Sequence, residues 1–415
     1  KDTEDSVLSS FYDNQTTGQS SSDGGTGLTT SELKANESLG DFDFTNTWAV
    51  VNTSIESSYP YLQNNTQSPA PGLESAFAGG DGTAANAYQI ETVDQLQSMQ
   101  EDLSANYTLI ADIDASGTSE WNNGSGFDPI GNVSEKFNGT FDGQGYEIKD
   151  LYIDRSSEGF VSLFGVSNGT VENIGVVGAD VSGSNYVGGL VGENEGSLND
   201  SYATGNVSGN KWVGGLVGQF IGYSDEIRVE GSNASGSVSG TSQIGGLIGY
   251  VEGYPSEGDS TLIVDSTAAT GDVNGSDYIG GLIGEVKSDV YKENLGDNTY
   301  VAEVRIVNSY TTGSVDGSSH VGGLIGGSNS YAEADDPKLP TVYYNATTEF
   351  NNTYATGSVN GTDHTGGLVG SVNTDDALSY DTYFYGNAYL NHSYATGYVN
   401  ASGSTVGGLV GNNTE

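Results

Sequence analysis

Two histidines, His320 and His364, raise the question of metal chemistry, because neutral imidazole is a common zinc ligand. Each stands two residues before a Gly pair in a repeated segment, so the two rings are expected on neighbouring repeats, about 4.8 Å apart. In other copies the same slot holds Tyr186, Trp212, Gln243 and Tyr278. This variety favours a stacked ladder of side chains over a metal site.

Acidic residues are the second candidates for cation chemistry. Asp112 with Asp114, and Asp335 with Asp336, are pairs that could hold a hard cation such as Ca²⁺, which takes oxygen ligands. Neither pair belongs to a complete calcium-binding loop, so solvated surface carboxylates are the simpler interpretation. We expect no cofactor, with Ca²⁺ or other cations on the acidic surface as the alternative.

Hydrolysis of polysaccharides would need paired carboxylates at glycosidase spacing, or a base with a metal and basic residues, in one groove. The arginines are Arg155, Arg228 and Arg305, and none stands in a recognisable catalytic cluster. The glycine-rich repeat does not match a phosphate-binding loop, because no helix follows it. The sequence therefore predicts no enzyme, and a polysaccharide-degrading β-helix is the less favoured alternative.

Asparagines in N-x-[Ser/Thr] sequons, which accept N-linked glycans in secreted proteins, are the most numerous candidate sites. They exceed the chance expectation, although Asn, Ser and Thr are also common turn residues. The predicted glycosylation sites are Asn14, Asn36, Asn52, Asn64, Asn106, Asn123, Asn132, Asn138, Asn168, Asn199, Asn206, Asn233, Asn274, Asn345, Asn351, Asn360, Asn391, Asn400 and Asn412. We expect a secreted, N-glycosylated surface protein.

Charge restricts both the partners and the setting. The chain has 55 acidic and 11 basic residues, a formal charge of -44, which excludes nucleic acid as a partner. Concentrated salt screens such a surface, since the Debye length is about 3 Å at 1 M. A halophilic source is therefore the leading explanation, and cation binding by the carboxylates is the second.

Targeting signals and disulfides are not evident. The sequence has no Cys and no apolar run near the roughly 20 residues that cross a bilayer. It starts at Lys1 without an initiator Met or a secretion signal, so we expect a processed chain or part of a longer one.

One repeated unit must position all these residues. GGL[VI]G begins at Gly188, Gly214, Gly245, Gly280, Gly322, Gly366 and Gly407. Each copy follows a short segment such as SYATG at 201–205, and a Val stands two residues after the last Gly of that segment. Short alternating segments punctuated by Gly indicate strands and tight turns. The shortest period, about 26 residues, predicts one rung of a right-handed parallel β-helix, with three strands and three bends.

Insertions of variable length separate GGL[VI]G from the next segment, and all leave the repeat at the same corner. They are rich in tyrosine, as at Tyr223, Tyr250 and Tyr389, and are expected to form a ridge along one edge. Because insertions on one face of a repeat array often bind partners, other cells and extracellular polysaccharide are candidate partners. Packing of the tyrosines against the solenoid wall is the simpler interpretation.

The repeat resembles that of the GLUG-repeat surface proteins, adhesins and exoproteins of bacteria and archaea, here with a haloarchaeal-like composition. The resemblance covers almost the whole chain. Residues 77–117 are similar to the cap that opens such solenoids, with Leu96, Met99 and Leu103 on one face of a short amphipathic helix. Residues 137–153 are similar to the first rungs, and residues 9–62 resemble the segment that normally closes the solenoid.

This resemblance divides the chain into four predicted parts. They are a closing segment of a preceding or neighbouring solenoid at 1–66, a Pro-bearing linker at 67–76, the cap and first rungs at 77–165, and the repeat β-helix with its insertions at 166–415. The closing segment thus comes first, and the last rung stops where one is expected to begin. We therefore expect an unfinished β-helix edge that joins another solenoid.

The predicted function is a structural subunit of an extracellular, N-glycosylated filament at the cell surface or in the matrix. Copies of the chain would join head to tail, or the chain would be one period of a giant tandem polypeptide. The expected partners are copies of itself and covalent N-glycans. The alternative is an adhesin stalk that binds glycans or cells through its Tyr-rich insertions.

Overall fold

The computed structural model describes two sets of residues. They are 10–15, 21, 26–34, 39, 42–43, 47–49 and 59–62, and then 77–415 without 224, 256–258, 293–299, 335–342, 377, 380–381, 404 and 415. The chain divides into two compact units, residues 1–79 and residues 80–415. The predicted linker at 67–76 lies outside the described residues, and the predicted domain limits remain predictions.

The first unit has short elements near a buried carboxylate. Its elements are the parallel strands Phe11–Asp13 and Thr26–Leu28, the helix Thr30–Lys34, and the antiparallel strands Trp48–Ala49 and Tyr61–Leu62. The carboxylate of Asp13 is 8% exposed and accepts hydrogen bonds from Thr30 Oγ1 at 2.7 Å and from the Tyr59 hydroxyl at 2.6 Å.

The second unit is a parallel β-helix, which confirms the predicted fold class. Each rung crosses four sheets, and each strand pairs with its equivalent in the next rung. One rung consists of Ser197–Asn199, Tyr202–Ser208, Lys211–Gly214 and Val217–Gly222. The prediction of three strands per rung was wrong, because Gly215 and Leu216 bend the chain inside GGL[VI]G and divide one expected strand into two.

Four sheets run through the rungs. Sheet one contains Tyr88–Ile90, Tyr107–Leu109, Thr140–Asp142, Thr170–Glu172, Ser197–Asn199, Asp225–Glu230, Ser260–Asp265, Tyr300–Val307, Tyr343–Asn351, Thr382–Asn391 and the antiparallel Leu378–Ser379. Sheet two contains Ile113–Asp114, Glu147–Lys149, Tyr152–Asp154, Gly175–Ser182, Tyr202–Ser208, Asn233–Ser235, Val238–Ser239, Ala268–Ala269, Val273–Asn274, Tyr310–Thr311, Val315–Asp316, Tyr354–Ala355, Val359–Gly361, Tyr394–Ala395 and Val399–Ala401.

The other two sheets flank the Gly pair. Sheet three contains Asn185–Gly188, Lys211–Gly214, Ser242–Gly245, Asp277–Gly280, Ser319–Gly322, Asp363–Gly366 and Val406–Gly407. Sheet four contains Phe164–Ser167, Val191–Asn194, Val217–Gly222, Ile248–Gly253, Ile283–Lys292, Ile325–Ala334, Val369–Asp376 and Val410–Thr414.

A narrow apolar core fills the rungs. The Leu of each GGL[VI]G motif is fully buried from Leu190 to Leu368. The aliphatic residue before the Gly pair stacks on its counterpart in the next rung, as Val213 does on Ile244. Burial of such side chains stabilises the fold by about 1.5–3 kcal/mol each.

The cap begins the β-helix with a short helix, as predicted. The helix Val93–Gln97 is capped at its N-terminus by the Thr92 side chain, which accepts a hydrogen bond from the backbone N–H of Gln95 at 3.3 Å. It continues as the 3-10 helix Ser98–Glu101, and a second 3-10 segment, Ser116–Gly124, follows later. Leu96 and Met99 are fully buried, so this part of the predicted apolar face packs onto the end of the core. The prediction for Leu103 was wrong, because the helical residues end at Glu101 and Leu103 lies half-buried in the turn that follows.

The insertions lengthen sheets one and four. The sheet-four strand grows from Val191–Asn194 to Ile283–Lys292, and the sheet-one strand from Ser197–Asn199 to Thr382–Asn391. The added residues pair in register with the neighbouring rung, and Val290 inside this extension is 1% exposed. In its described residues, the ridge is therefore a regular continuation of two sheets.

From Gly189 to Gly367, the second Gly of the GGL[VI]G motif allows consecutive rungs to approach each other. A Cβ on Gly281 would stand 2.1 Å from the carbonyl oxygen of Gly323, and the equivalent contacts of Gly246 and Gly323 are as close. No side chain fits at this distance, so only glycine keeps the rungs within hydrogen-bonding reach.

The substitution Gly281→Ala should lower the free energy of unfolding by about 3 kcal/mol, because the added methyl group meets backbone that cannot move without breaking rung pairing. Gly117→Ala is the matched control, since its Cβ would meet no atom within 4 Å. Urea unfolding followed by circular dichroism measures both variants. Equal midpoints for the two variants would contradict the proposed close contact between rungs.

Candidate functional site

A column of side chains, named here the ring column, runs along sheet three. Its members are Phe160, Tyr186, Trp212, Gln243, Tyr278, His320 and His364. Ring centroids are 4.3 Å apart between Phe160 and Tyr186 and 4.4 Å between Tyr186 and Trp212. Beyond Gln243, the stack resumes from Tyr278 through His320 to His364, at 4.2 and 4.6 Å. The slot before the Gly pair thus forms the ladder that its sequence favoured.

The backbone of the ring column is left-handed. Its φ angles lie between 47° at His364 and 61° at Phe160, a conformation that costs a non-glycine residue roughly 1–2 kcal/mol. Each pair of offset, parallel rings stabilises the fold by about 0.5–1.5 kcal/mol, so stacking compensates part of this conformational free energy. Lys211 adds a cation–π contact, with its Nζ 3.9 Å from the Trp212 ring centroid.

Stacking determines what the ring column can bind. The interplanar angle between His320 and His364 is 8°, so their nitrogens lie in parallel planes and do not converge. His320 Nδ1 instead lies 2.8 Å from Asp277 Oδ1. Within the described residues, no group of three or more His, Cys, Asp or Glu is arranged to hold a metal.

The predicted acidic pairs form protein contacts where they are described. Asp112 Oδ2 pairs with Lys149 Nζ at 2.8 Å, and this hydrogen bond lowers the pKa of the Asp112 carboxyl. Asp114 accepts a hydrogen bond from the backbone N–H of Ser116 at 3.0 Å. Asp335 and Asp336 lie outside the described residues.

A second column, named here the hydroxyl column, occupies the corner between sheets one and two. Its members are Ser201, Ser232, Thr267, Ser309, Thr353 and Ser393. Ser309 shows the pattern: its Oγ donates to the carbonyl oxygen of Val307 at 2.7 Å and accepts from the backbone N–H of Thr267, one rung earlier, at 3.2 Å. The other serines of the column bond to backbone groups in the same way, and so satisfy polar groups that lie at the corner outside the strand pairing. The hydroxyls of Thr267 and Thr353 instead hydrogen-bond to the Oγ of the serine one rung later, at 2.9 Å each.

The hydroxyl column gives three sequons a role in folding. Ser201, Thr353 and Ser393 are the third residues of the sequons at Asn199, Asn351 and Asn391. The middle residue of each has a positive φ, from 46° at Asp200 to 56° at Asn352, which favours small polar residues. Part of the sequon excess therefore follows from corner geometry.

The sequon asparagines lie on the surface wherever the structure describes them. Those exposed are Asn123, Asn132, Asn138, Asn168, Asn206, Asn233, Asn274, Asn391 and Asn400, and those half-buried are Asn14, Asn106, Asn199, Asn345, Asn351, Asn360 and Asn412. Asn36, Asn52 and Asn64 lie outside the described residues. Asn132, Asn274 and Asn400 also have an exposed Ser at the third sequon position.

One carboxyl pair stands out by its electrostatics. Burial, together with the negative charge of the neighbouring Glu195, raises the pKa of Glu193 to about 7. Glu195 is 8% exposed and pairs with Lys136 Nζ at 2.6 Å.

Comparison with known proteins gives a motif-level result. Residues 183–208, which contain the first GGL[VI]G copy, match the family described as the GLUG motif. This chain carries the GLUG motif. The predicted resemblance to GLUG-repeat surface proteins is thereby confirmed for the rung that contains Tyr186.

Two relatives match part of this chain. It is 40% identical over 134 residues to halomucin of Haloquadratum walsbyi, a match that covers 30% of this chain and 2% of halomucin. It is 37% identical over 133 residues to a protein of Evansella cellulosilytica named as a Gly-rich membrane protein, covering 30% of this chain and 15% of that protein. The chain thus spans a small fraction of both relatives.

A solved structure from Bacteroides ovatus, named as an immunoglobulin A1 protease, aligns with 82% of the GLUG chain and 87% of its own chain. Its TM-score is 0.44 at 19% identity, which carries no information about activity. Among the described residues, no helix is both long and apolar enough to span a bilayer.

The substitution Ser309→Ala should lower the free energy of unfolding by about 1–3 kcal/mol, because the buried N–H of Thr267 loses its acceptor. Ser358→Ala, at an exposed position, is the control and should change it by less than about 0.5 kcal/mol. Chemical denaturation compares them. A neutral Ser309→Ala variant would show that the hydroxyl column does not stabilise the corner.

Thermal stability should fall as pH rises through about 7, because folding favours the protonated form of Glu193. This contribution is complete below the ordinary carboxyl pKa and is lost as the folded-state carboxyl ionises beside Glu195. Glu193→Gln should flatten the decline between pH 5 and pH 8. Calorimetry at fixed ionic strength measures both proteins, and identical pH profiles would disprove the assignment.

Proposed function

We propose that this GLUG chain is a structural, non-enzymatic segment of an N-glycosylated extracellular fibre, at the cell surface or in the matrix, whose solenoid is continued end to end. A neighbouring copy of the chain supplies the continuation, or the same polypeptide does in a giant tandem protein. Halomucin and the Gly-rich membrane protein, which match 30% of the chain each, support a surface setting.

The asymmetry of the β-helix is the observation that carries this proposal. Its first end is covered by the helix Val93–Gln97, with Leu96 fully buried. At the other end, in the described residues, the strands of the rung 382–414 that belong to sheets two, three and four pair on one side. Their other side, which pairs with no described strand, is named here the open face.

The open face exposes residues that are buried in every interior rung. Leu409 is 38% exposed, whereas its equivalent Leu368 is fully buried. Val406 is 42% exposed, whereas Val321 in the same column is fully buried. Unpaired strand edges with apolar side chains favour pairing with another strand, so a further rung would bury both residues.

The exposed tyrosines fit the same explanation. Tyr394 stacks on Tyr354 at 5.1 Å through one ring face and is 51% exposed, and Tyr398 is 72% exposed. Both belong to the rung of the open face. Their exposure follows from the position of that rung.

Charge and glycans fit a fibre outside the cell. A surface of -44 formal charge keeps separate solenoids apart except where a specific face joins them. Concentrated salt would screen this repulsion along the axis, consistent with a halophilic source. Glycans at Asn132, Asn274 and Asn400 would add bulk at positions that are exposed in the folded rungs.

Purified chain should form filaments in molar salt that shorten on dilution into millimolar salt, because repulsion between like-charged subunits returns. Val406→Lys should leave single rods, since it places a charge on the open face. Val133→Lys is the matched control, because Val133 is 55% exposed in the first part of the β-helix. Sedimentation velocity and electron microscopy measure the length.

Single rods of the parent chain at all concentrations and salt levels would contradict assembly between copies. Filaments unaffected by Val406→Lys would show that the open face is not the joint. The complete gene distinguishes separate subunits from a tandem polypeptide.

A further inference from the structure

A groove of about 400 Å³ lies beside the first GLUG rungs. Three tripeptides at equivalent corners line it: Asn138–Thr140, Asn168–Thr170 and Glu195–Ser197. Thr170 pairs in register with Thr140 on one side and with Ser197 on the other. The groove therefore follows the axis for three rungs.

Glycines form the floor of the groove. A Cβ would lie 1.8 Å from a carbonyl oxygen at Gly139, 2.1 Å at Gly169 and 2.0 Å at Gly196. Because no side chain fits there, the floor is bare backbone. Polar side chains stand on either side of it, two amides and a carboxylate on one side and three hydroxyls on the other.

The first long insertion forms the wall. Tyr223 and Ile227 line the groove where the chain passes from Val217–Gly222 to Asp225–Glu230. Tyr223 is 40% exposed and supplies an aromatic surface. Burial, with the charges of Glu195 and Glu193, raises the pKa of its hydroxyl to about 12, so it remains protonated at neutral pH.

The electrostatics of the groove favour a neutral ligand. Both carboxylate oxygens of Glu195 accept hydrogen bonds from Lys136 Nζ, at 2.6 and 2.7 Å. The positive charge of Lys136 at this end of the groove is therefore already neutralised. An anionic sugar, phosphate or sulfate would therefore have no unpaired cation to bind among the residues that line the groove. The formal charge of -44 on the chain would also repel it.

Sugar hydroxyl groups match these side chains, because each hydroxyl both donates and accepts hydrogen bonds, as amides and hydroxyls do. Asn168 Nδ2 already donates to Asn138 Oδ1 at 3.3 Å, which holds the two amides side by side. An aromatic ring beside such polar groups provides a surface for the apolar face of a sugar. Pockets of about 300–1,000 Å³ enclose ligands of this size.

We propose that this groove binds a neutral oligosaccharide of about two or three sugar rings, with Tyr223 as its stacking platform and the side chains at 138, 168 and 197 as hydrogen-bonding groups. The site is separate from the open face and from the ring column. We propose binding without cleavage, because glycosidases use two carboxyls and Glu195 supplies the only carboxylate among the described residues that line the groove.

Two sources could supply the sugar. One is a free extracellular polysaccharide, and the other is a glycan on the chain itself, since Asn138 and Asn168 are both sequon asparagines that line the groove. The chemistry of recognition is the same for both. Glycosylated and unglycosylated preparations of the chain distinguish them.

The test titrates unglycosylated chain, made in a bacterial host, with neutral gluco-, manno- and cello-oligosaccharides and with an acidic oligogalacturonate. We expect weak binding of at least one neutral oligosaccharide by saturation-transfer NMR and calorimetry. Tyr223→Ala should weaken it at least about tenfold, in line with loss of a central aromatic contact. Tyr389→Ala, at a tyrosine that is 51% exposed in another rung, is the matched control.

The titrations are repeated with the Val406→Lys variant, in which end-to-end assembly is expected to be blocked. Sugar binding and fibre assembly can therefore fail independently, and the two proposals are tested separately. The chain's own glycan is identified as the ligand by two results together. Unglycosylated chain binds the oligosaccharide and loses this binding with Tyr223→Ala, whereas chain that carries a glycan on Asn138 or Asn168 does not bind the added oligosaccharide. No neutral binding, preference for the acidic sugar, or equal affinity of Tyr223→Ala and parent would overturn the proposal.

Discussion

Backbone hydrogen bonding between consecutive rungs is the interaction on which the rest of the structure depends. The Leu of the GGL[VI]G motif traces it, because its N–H donates to the carbonyl oxygen of the equivalent Leu one rung later at 2.8–2.9 Å, from Leu216 through Leu247, Leu282, Leu324 and Leu368 to Leu409. Adjacent strands lie about 4.8 Å apart in such ladders. The second Gly of the motif permits this spacing, since any Cβ there would collide with the next rung.

In-register pairing turns each sequence position into a column along the axis. The side chain at a given position must therefore pack against the side chains at the same position in the rungs before and after it, and it need not match the most common residue of the repeat. Gln243 interrupts the rings of Trp212 and Tyr278 without breaking the column, because its amide donates to Glu285 at 2.9 Å. The insertions obey the same constraint, since a long strand of sheet four is paired along its length with the long strand of the next rung.

The sequence predicted the structural features that follow from the period of the GGL[VI]G repeat and of the apolar residues. The GGL[VI]G repeat predicted the parallel β-helix, the slot of His320 predicted the ladder, and Leu96 with Met99 predicted the cap. The hydroxyl column was not predicted, although the Ser that begins SYATG, Ser201, is a visible signal for it. This Ser is also the third residue of a sequon and was interpreted only in that role. The fourth strand was missed because a Gly pair indicates a bend or a close contact equally well.

Features that depend on contacts across rungs could not be predicted. Lys136 and Glu195 are distant in sequence, and their pairing beside Glu193 requires the register of three rungs. The groove depends on which rung carries the first long insertion, and Tyr223 becomes a wall only once that insertion is folded. A raised carboxyl pKa likewise requires knowledge of burial, which composition does not contain.

Amide hydrogen exchange at the Leu of each rung tests most directly the claim that the fibre is a continuation of rung-to-rung bonding. The N–H of Leu368 donates within the chain at 2.9 Å, whereas that of Leu409 would donate to a following rung. The account predicts slow exchange at Leu368 throughout, and exchange at Leu409 that is fast in dilute chain and slow in filaments. Equal rates at the two residues in dilute chain, or fast exchange at Leu409 within filaments, would contradict it.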